Sequence, residues 1–272
     1  MNLNSCTIVG LALLAVSPAT QAQQKFEFEV ASIKPNASGG HGERVQMSTG
    51  RFVANNVTVK FLIMQAFNVK EFQISGGPSW MTSERFDIDA KTGGEDDSKD
   101  ARPTQAEMMA KTEQLRSMMQ SLLADRFKFK SHEDLKEEPA YALIMGKNGP
   151  KLKPSEPGTE VRQTMRVGHG QLSAKKLTMD RLADQLADNV GRPVVNKTGI
   201  PGEYDLELEW TPDPGQGGPF GAPPAGEAPP PVDSLGPSIF TAVQDKLGLK
   251  LEGTKAPVKM IVIDAIEKPS EN

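Results

Sequence analysis

The chain is poor in the residues from which most sites of chemistry are built. It has one cysteine, Cys6, and three histidines, His41, His132 and His169, in 272 residues. A lone cysteine excludes an intrachain disulfide and a multi-thiolate metal centre, so packed cores must hold the fold. The histidines are dispersed: His41 and His169 sit in Gly-flanked turns and His132 in a charged strand. None is closely spaced with a second ligand, so no zinc site is expected. His132-Glu133 opens an H-E-x-x-H pattern, but Lys136 stands where the second histidine is required. Aromatic residues are few, at 6%, and the net charge is −4. With no basic stripe and no aromatic platform, nucleic acid is not an expected partner. No G-x-S-x-G, Walker loop or Rossmann fingerprint occurs in a suitable context, and no cofactor is expected.

Long apolar runs are also missing. Ile8 to Val16 is short, and Thr20-Gln21-Ala22 follows as a small-x-small cleavage site. Together they read as a secretory signal, residues 1–22, that would take Cys6 with it. The expectation is an exported protein, periplasmic or secreted, with no stable membrane span after cleavage.

What is present is internal repetition. G-R-F-V-A-N-N-V-T-V-K-F-L from Gly50 returns as G-Q-L-S-A-K-K-L-T-M-D-R-L from Gly170. R-F-D-I-D-A from Arg85 returns as E-Y-D-L-E-L from Glu203, and A-D-R-F-K-F-K from Ala124 as Q-D-K-L-G-L-K from Gln244. Blocks in one order at a nearly constant shift set architecture before any other argument. The fold class is α+β: two tandem β-α-β-β-α-β-β repeats, with small mixed sheets packed on helices.

In the first repeat a helix over 57–67 is capped by Thr58, with Val57 stapled onto Leu62. Thr178, Leu177 and Leu182 reproduce both devices in the second. Strands at 72–75 and 85–90 are parted by Gly76-Gly77-Pro78; their counterparts are 193–196 and 204–210. A second helix carries Leu115, Met118, Met119, Leu122 and Leu123 on one face, and Ile239, Val243 and Leu247 mark its equivalent. Each repeat closes with two strands, 127–135 with 140–145 and 249–253 with 258–266, with Pro139 and Pro257 at the matching entries, consistent with edge or first-strand positions. Residues 28–35 add an extra strand. The divisions expected are a first repeat at 24–147, a linker at 148–158 and a second repeat at 159–268. The acidic stretch 93–102 and the Pro/Gly-rich loop 211–237 are insertions.

The blocks F-E-V-A-S-I-K-P from Phe28, G-P-S-W from Gly77, R-F-D-I-D-A-K, L-L-A-D-R-F-K from Leu122, V-V-N-K-T-G-I-P-G-E-Y-D from Val194 and L-G-L-K-L-E from Leu247 carry a resemblance. The chain resembles the acidobacterial paralogous family of secreted proteins of unknown function, over nearly all of its mature length. Asn196 stands where that family commonly has Asp. The resemblance implies export and no particular chemistry; association of some relatives with BlaR-type sensors implies envelope signalling by analogy. The order of elements in each repeat is also similar to the N-terminal domain of secretins and TonB-dependent receptors, which implies binding of other proteins. Similarity of fold does not establish function.

Ser173-Ala174-Lys175-Lys176 is an S-x-x-K and Lys197-Thr198-Gly199 a K-T-G, both elements of penicillin-binding enzymes. Those enzymes need the serine on a helix, whereas Ser173 reads as strand, so no catalytic residue is assigned. Asp87 with Asp89, and Glu207 with Glu209, alternate onto the wet face of a strand and read as solvated. Trp80, after a Gly-Pro turn, and Trp210, at a strand end, are the candidate partner-binding residues. The function expected is a non-catalytic cell-envelope protein-interaction module with an envelope protein as partner. A periplasmic ligand-binding or sensor domain and an unrecognised hydrolase are the alternatives.

Overall fold

A computed structural model describes residues 26–36, 43–48, 50–92, 104–156, 164–168, 170–212 and 236–269. The signal segment, His41, His169, the stretch 93–102 and most of the loop 211–237 lie outside them. The described residues form an α+β fold of three four-stranded sheets and five helices.

The first sheet has the order β1 (Val30–Pro35), β5 (Arg85–Lys91), β3 (Arg51–Thr58), β2 (Arg44–Ser48), all antiparallel. Another sheet has the order β7 (Lys153–Pro154), β11 (Tyr204–Glu209), β9 (Gln171–Leu177), β8 (Thr164–Gly168), again antiparallel. Their registers correspond. Phe52 faces Ala90 as Leu172 faces Leu208, and Ala54 faces Ile88 as Ala174 faces Leu206. The ladder is interrupted at one place in both, where Asn56 (φ 57°) and Lys176 (φ 54°) take a left-handed conformation. This is a bulge: an extra residue leaves the ladder and turns the strand toward its helix.

The helices that follow are α1 (Val59–Phe67) and α4 (Met179–Val190). Thr58 Oγ1 accepts from Phe61 N at 3.2 Å and Thr178 Oγ1 from Arg181 N at 3.3 Å, satisfying a first-turn donor in each. The first helix starts at Val59 rather than Val57, because β3 runs on to the capping threonine.

The middle sheet departs from the sequence expectation. The pairs of closing strands are single long strands, β6 (Lys130–Met145) and β12 (Leu249–Ala265), paired antiparallel along their lengths. Pro139 and Pro257 do not break them. Tyr141 N donates outward to Pro193 O and Lys259 O accepts from Gln73 on the other outer side. Residues two apart point their backbone groups the same way, so each proline directs its missing N–H away from the ladder.

Short strands flank this pair: β10 (Val194–Asn196) runs parallel to β6, and β4 (Ile74–Ser75) parallel to β12. Each flanking strand therefore joins the long strand of the other half of the chain.

Packing follows the same exchange. One core gathers Phe52, Leu62, Ile63, Ile88, Leu123 and Phe127, and is completed by Ile261 from the end of β12. The other gathers Leu172, Leu182, Leu186, Leu208 and Val243, and is completed by Leu143 from the end of β6. Leu143 is fully buried and Ile261 is 2% exposed.

The stretch expected as a linker is pinned to the second half. Gly146 N donates to Gly248 O, Lys151 N to Leu247 O, and Ser155 N to Glu203 O. Lys153-Pro154 is strand β7, in the place β1 holds with Lys34-Pro35 in the first sheet.

Of the remaining helices, α2 (Trp80–Ser83) is one turn, α5 (Ile239–Leu247) has 9 residues and α3 (Gln105–Arg126) has 22. The outer half of α3 extends past its core, with Met108 and Met109 exposed.

Candidate functional site

Among the described residues, each of the side chains marked for chemistry in the sequence has a structural partner or lies open to solvent. Ser173 is exposed on β9, paired across to Glu207. A strand, unlike a helix, does not stack residues three apart, so the S-x-x-K spacing builds no nucleophile–base pair here. Thr198 of the K-T-G is 3% exposed. Its hydroxyl donates to Asn196 Oδ1 at 2.8 Å and accepts from Ile200 N at 3.2 Å, while Asn196 Nδ2 donates to Asp180 Oδ1 at 2.8 Å. That network shapes the turn after β10 and ties it to the first turn of α4.

His132 Nδ1 lies 2.8 Å from Asp264 Oδ1 across the long strands, both residues about half exposed. Among the described residues no three His, Cys, Asp or Glu side chains group as metal ligands. A shallow concavity runs along the outer half of α3 beside Met108, Met109, Thr112 and Arg116; lined by a single helix, it encloses nothing.

Two carboxylates do more than the sequence suggested. Asp87 Oδ1 accepts from Asn56 N at 2.9 Å and from Asn36 Nδ2 at 2.7 Å. Asp205 Oδ1 accepts from Lys176 N at 3.2 Å and from Ser155 Oγ at 2.6 Å, and its Oδ2 pairs with Lys175 at 3.0 Å. Both satisfy the backbone N–H that the bulge releases and tie the outer strand to it. The Ser155 hydroxyl, the Lys175 ammonium and the Lys176 N–H bring Asp205 down to about 2, so it is too weak a base for proton abstraction near neutral pH. The signal was an aspartate at one position in both R-F-D and E-Y-D. Asp89 pairs instead with Arg51, whose hydrogen bond lowers its carboxyl below the usual range.

The tryptophans sit at core margins. Trp80 is half-buried, edge-on to Phe86 with centroids 6.5 Å apart, and Lys268 Nζ lies 5.9 Å from its ring centroid. Trp210 packs at the margin of the other core, and its backbone N–H donates to Gly170 O at 2.7 Å.

What the sheets leave open is a pair of edges. Val45 on β2 faces buried Ala54, so it lies on the core side, yet it is 42% exposed. Met165 and Val167 on β8 face buried Ala174 and Leu172, and are 39% and 42% exposed. Neither strand has a neighbour on its outer side in the described sheets. Sequence reasoning missed these edges because β2 and β8 precede the blocks in which repetition is readable.

No helix among the described residues is long and apolar enough to cross a membrane. No curated protein and no solved structure matches the chain. Residues 60–266, from α1 through the last core-forming strand, match a family described as protein of unknown function (DUF3738), and the chain belongs to that family.

Proposed function

We propose that the chain is an exported, non-catalytic protein-interaction module of the cell envelope, built from two copies of one unit. Corresponding registers, bulges, caps and carboxylate clamps in the two halves support the duplication. The short apolar segment at 8–16 supports export. The observation that carries interaction is the pair of open edges, each showing core-side apolar groups to solvent. An unpaired edge of this kind is a template for another chain. Trp80 and Trp210 take a supporting place in this reading, as margin residues that hold the cores.

Photocrosslinkers at Val45 and at Val167, activated in the native envelope, test it. The same partner should be captured from both positions. An excess of unlabelled chain should compete the capture away, whereas chain carrying both Val45→Asp and Val167→Asp should not. Capture of abundant background alone from both positions would overturn the reading.

A further inference from the structure

The outer edges of the three sheets are not treated alike. On β1, Asn36 N donates inward to Arg85 O, so the preceding residue, Pro35, directs its nitrogen outward. On β7, Ser155 N donates inward to Glu203 O, which turns Pro154 outward in the same way. Pro139 and Pro257 do this on the outer sides of the middle sheet. A proline at such a place removes the donor that an incoming strand would need. Two sheet edges, β1 and β7, thus carry a blocking proline, as do the outer sides of β6 and β12 beyond their short flanking strands β10 and β4, whereas β2 and β8 carry none.

The open edges also share a side-chain pattern. Alternation puts Val45 on the core side of β2 and Arg44 on the wet side. On β8 it puts Met165 and Val167 on the core side and Arg166 on the wet side. Arg44 and Arg166 are exposed, and neither has an ion-pair partner among the described residues. An exposed edge arginine also discourages self-pairing, because like charges would face each other across a symmetric strand pair.

We infer that β2 and β8 are strand-acceptor edges for an extended segment of another protein in which aliphatic and acidic residues alternate. The segment adds a fifth strand to either sheet. Its aliphatic side chains extend the core layer beside Val45 or beside Met165 and Val167, and its carboxylates meet Arg44 or Arg166. Backbone pairing supplies affinity, and the alternation supplies selectivity. This rests on the interaction reading above and specifies the partner's chemistry.

The test uses the full chain and three labelled octapeptides: alternating Glu-Val, alternating Lys-Val, and a block of four Glu followed by four Val. Fluorescence anisotropy should show saturable binding of alternating Glu-Val alone. Binding should weaken at least about tenfold when Arg44→Glu and Arg166→Glu are combined, and that variant should favour Lys-Val. Val45 N–H points outward between the inward-bonded Arg44 and Gln46, and Val167 N–H points outward beside the inward-bonded Arg166. Val45→Pro together with Val167→Pro should therefore abolish binding while circular dichroism stays native. Should those prolines unfold the chain, an N-methylated Glu-Val peptide, unable to pair along one side, replaces them and should not bind. Equal binding of the block peptide, or no binding of alternating Glu-Val, overturns the inference. Failure here with specific capture in the envelope would remove strand addition and leave the interaction module standing; failure of both removes both.

Discussion

The two halves solve one folding problem with different residues. Where backbone geometry is shared, the side chains converge: a threonine caps the first helix and an aspartate holds the bulge in each. Where the surroundings differ, the residues part. Lys128 and Gly248 occupy corresponding turns with φ 51° and 66°. A Cβ on Gly248 would meet Gly149 O at 2.1 Å, because the connection from β6 passes over it, so only glycine fits. Lys128 sits in an exposed turn and keeps its side chain. The second helix differs most, with 22 residues in the first half and 9 in the second. The extra turns of α3 are held at their start by a reciprocal cap between Thr104 and Glu107, which lowers the Glu107 carboxyl below its usual range.

The sharpest way to break the comparison is to ask whether the halves unfold apart. Leu143→Ala and Ile261→Ala should each cost about 2–5 kcal/mol, as for other buried large-to-small changes. Urea unfolding of single-tryptophan variants keeping Trp80 or Trp210 reads the two cores separately. The two midpoints should fall together, since each core borrows a residue from the other half. A drop confined to one tryptophan would mean that the halves are independent.

A smaller effect separates the corresponding turns. Gly248→Ala should destabilise by about 2 kcal/mol or more, from the left-handed backbone and the clash with the connection. Lys128→Gly should change stability by less than about 1 kcal/mol. Thermal unfolding compares them, and equal losses would contradict the stated role of the connection.

The smallest effect concerns the clamps. Asp205 is held near 2 in the folded chain, against an ordinary carboxyl value of about 3.9. Its contribution is therefore complete above the ordinary value and is lost as pH falls toward about 2. Asp205→Asn should flatten stability against pH in that window relative to the parent chain. An unchanged pH profile would remove the ion pair and hydrogen bonds from the account.

Much of the architecture was legible because it is local. Thr58 and Thr178 announced their helices through capping, and Phe86, Ile88 and Ala90 announced a half-buried strand through alternation. The bulges were barely legible: the one-residue slip in pairing shows only as a break in alternation between Ala54 and Val57 and between Ala174 and Leu177, and the recurrent aspartate hinted at its clamp. Pro139 and Pro257 were placed at the entries of separate strands because sequence does not say which way a strand's N–H groups point. The exchange of strands was hidden for a related reason. Leu143 and Ile261 are apolar wherever they pack, and nothing adjacent in the chain names the core that receives them. Trp80 and Trp210 stood out by rarity, whereas the open edges lie in short strands of ordinary composition.

The borrowed residue Ile261 also orders events in time. Synthesis proceeds from the N-terminus, and a chain ending before β12 has Phe52, Leu62 and Phe127 in hand but lacks the side chain that closes over them. Native packing of the earlier half therefore waits until β12 of the later half has been made, and the two halves mature together.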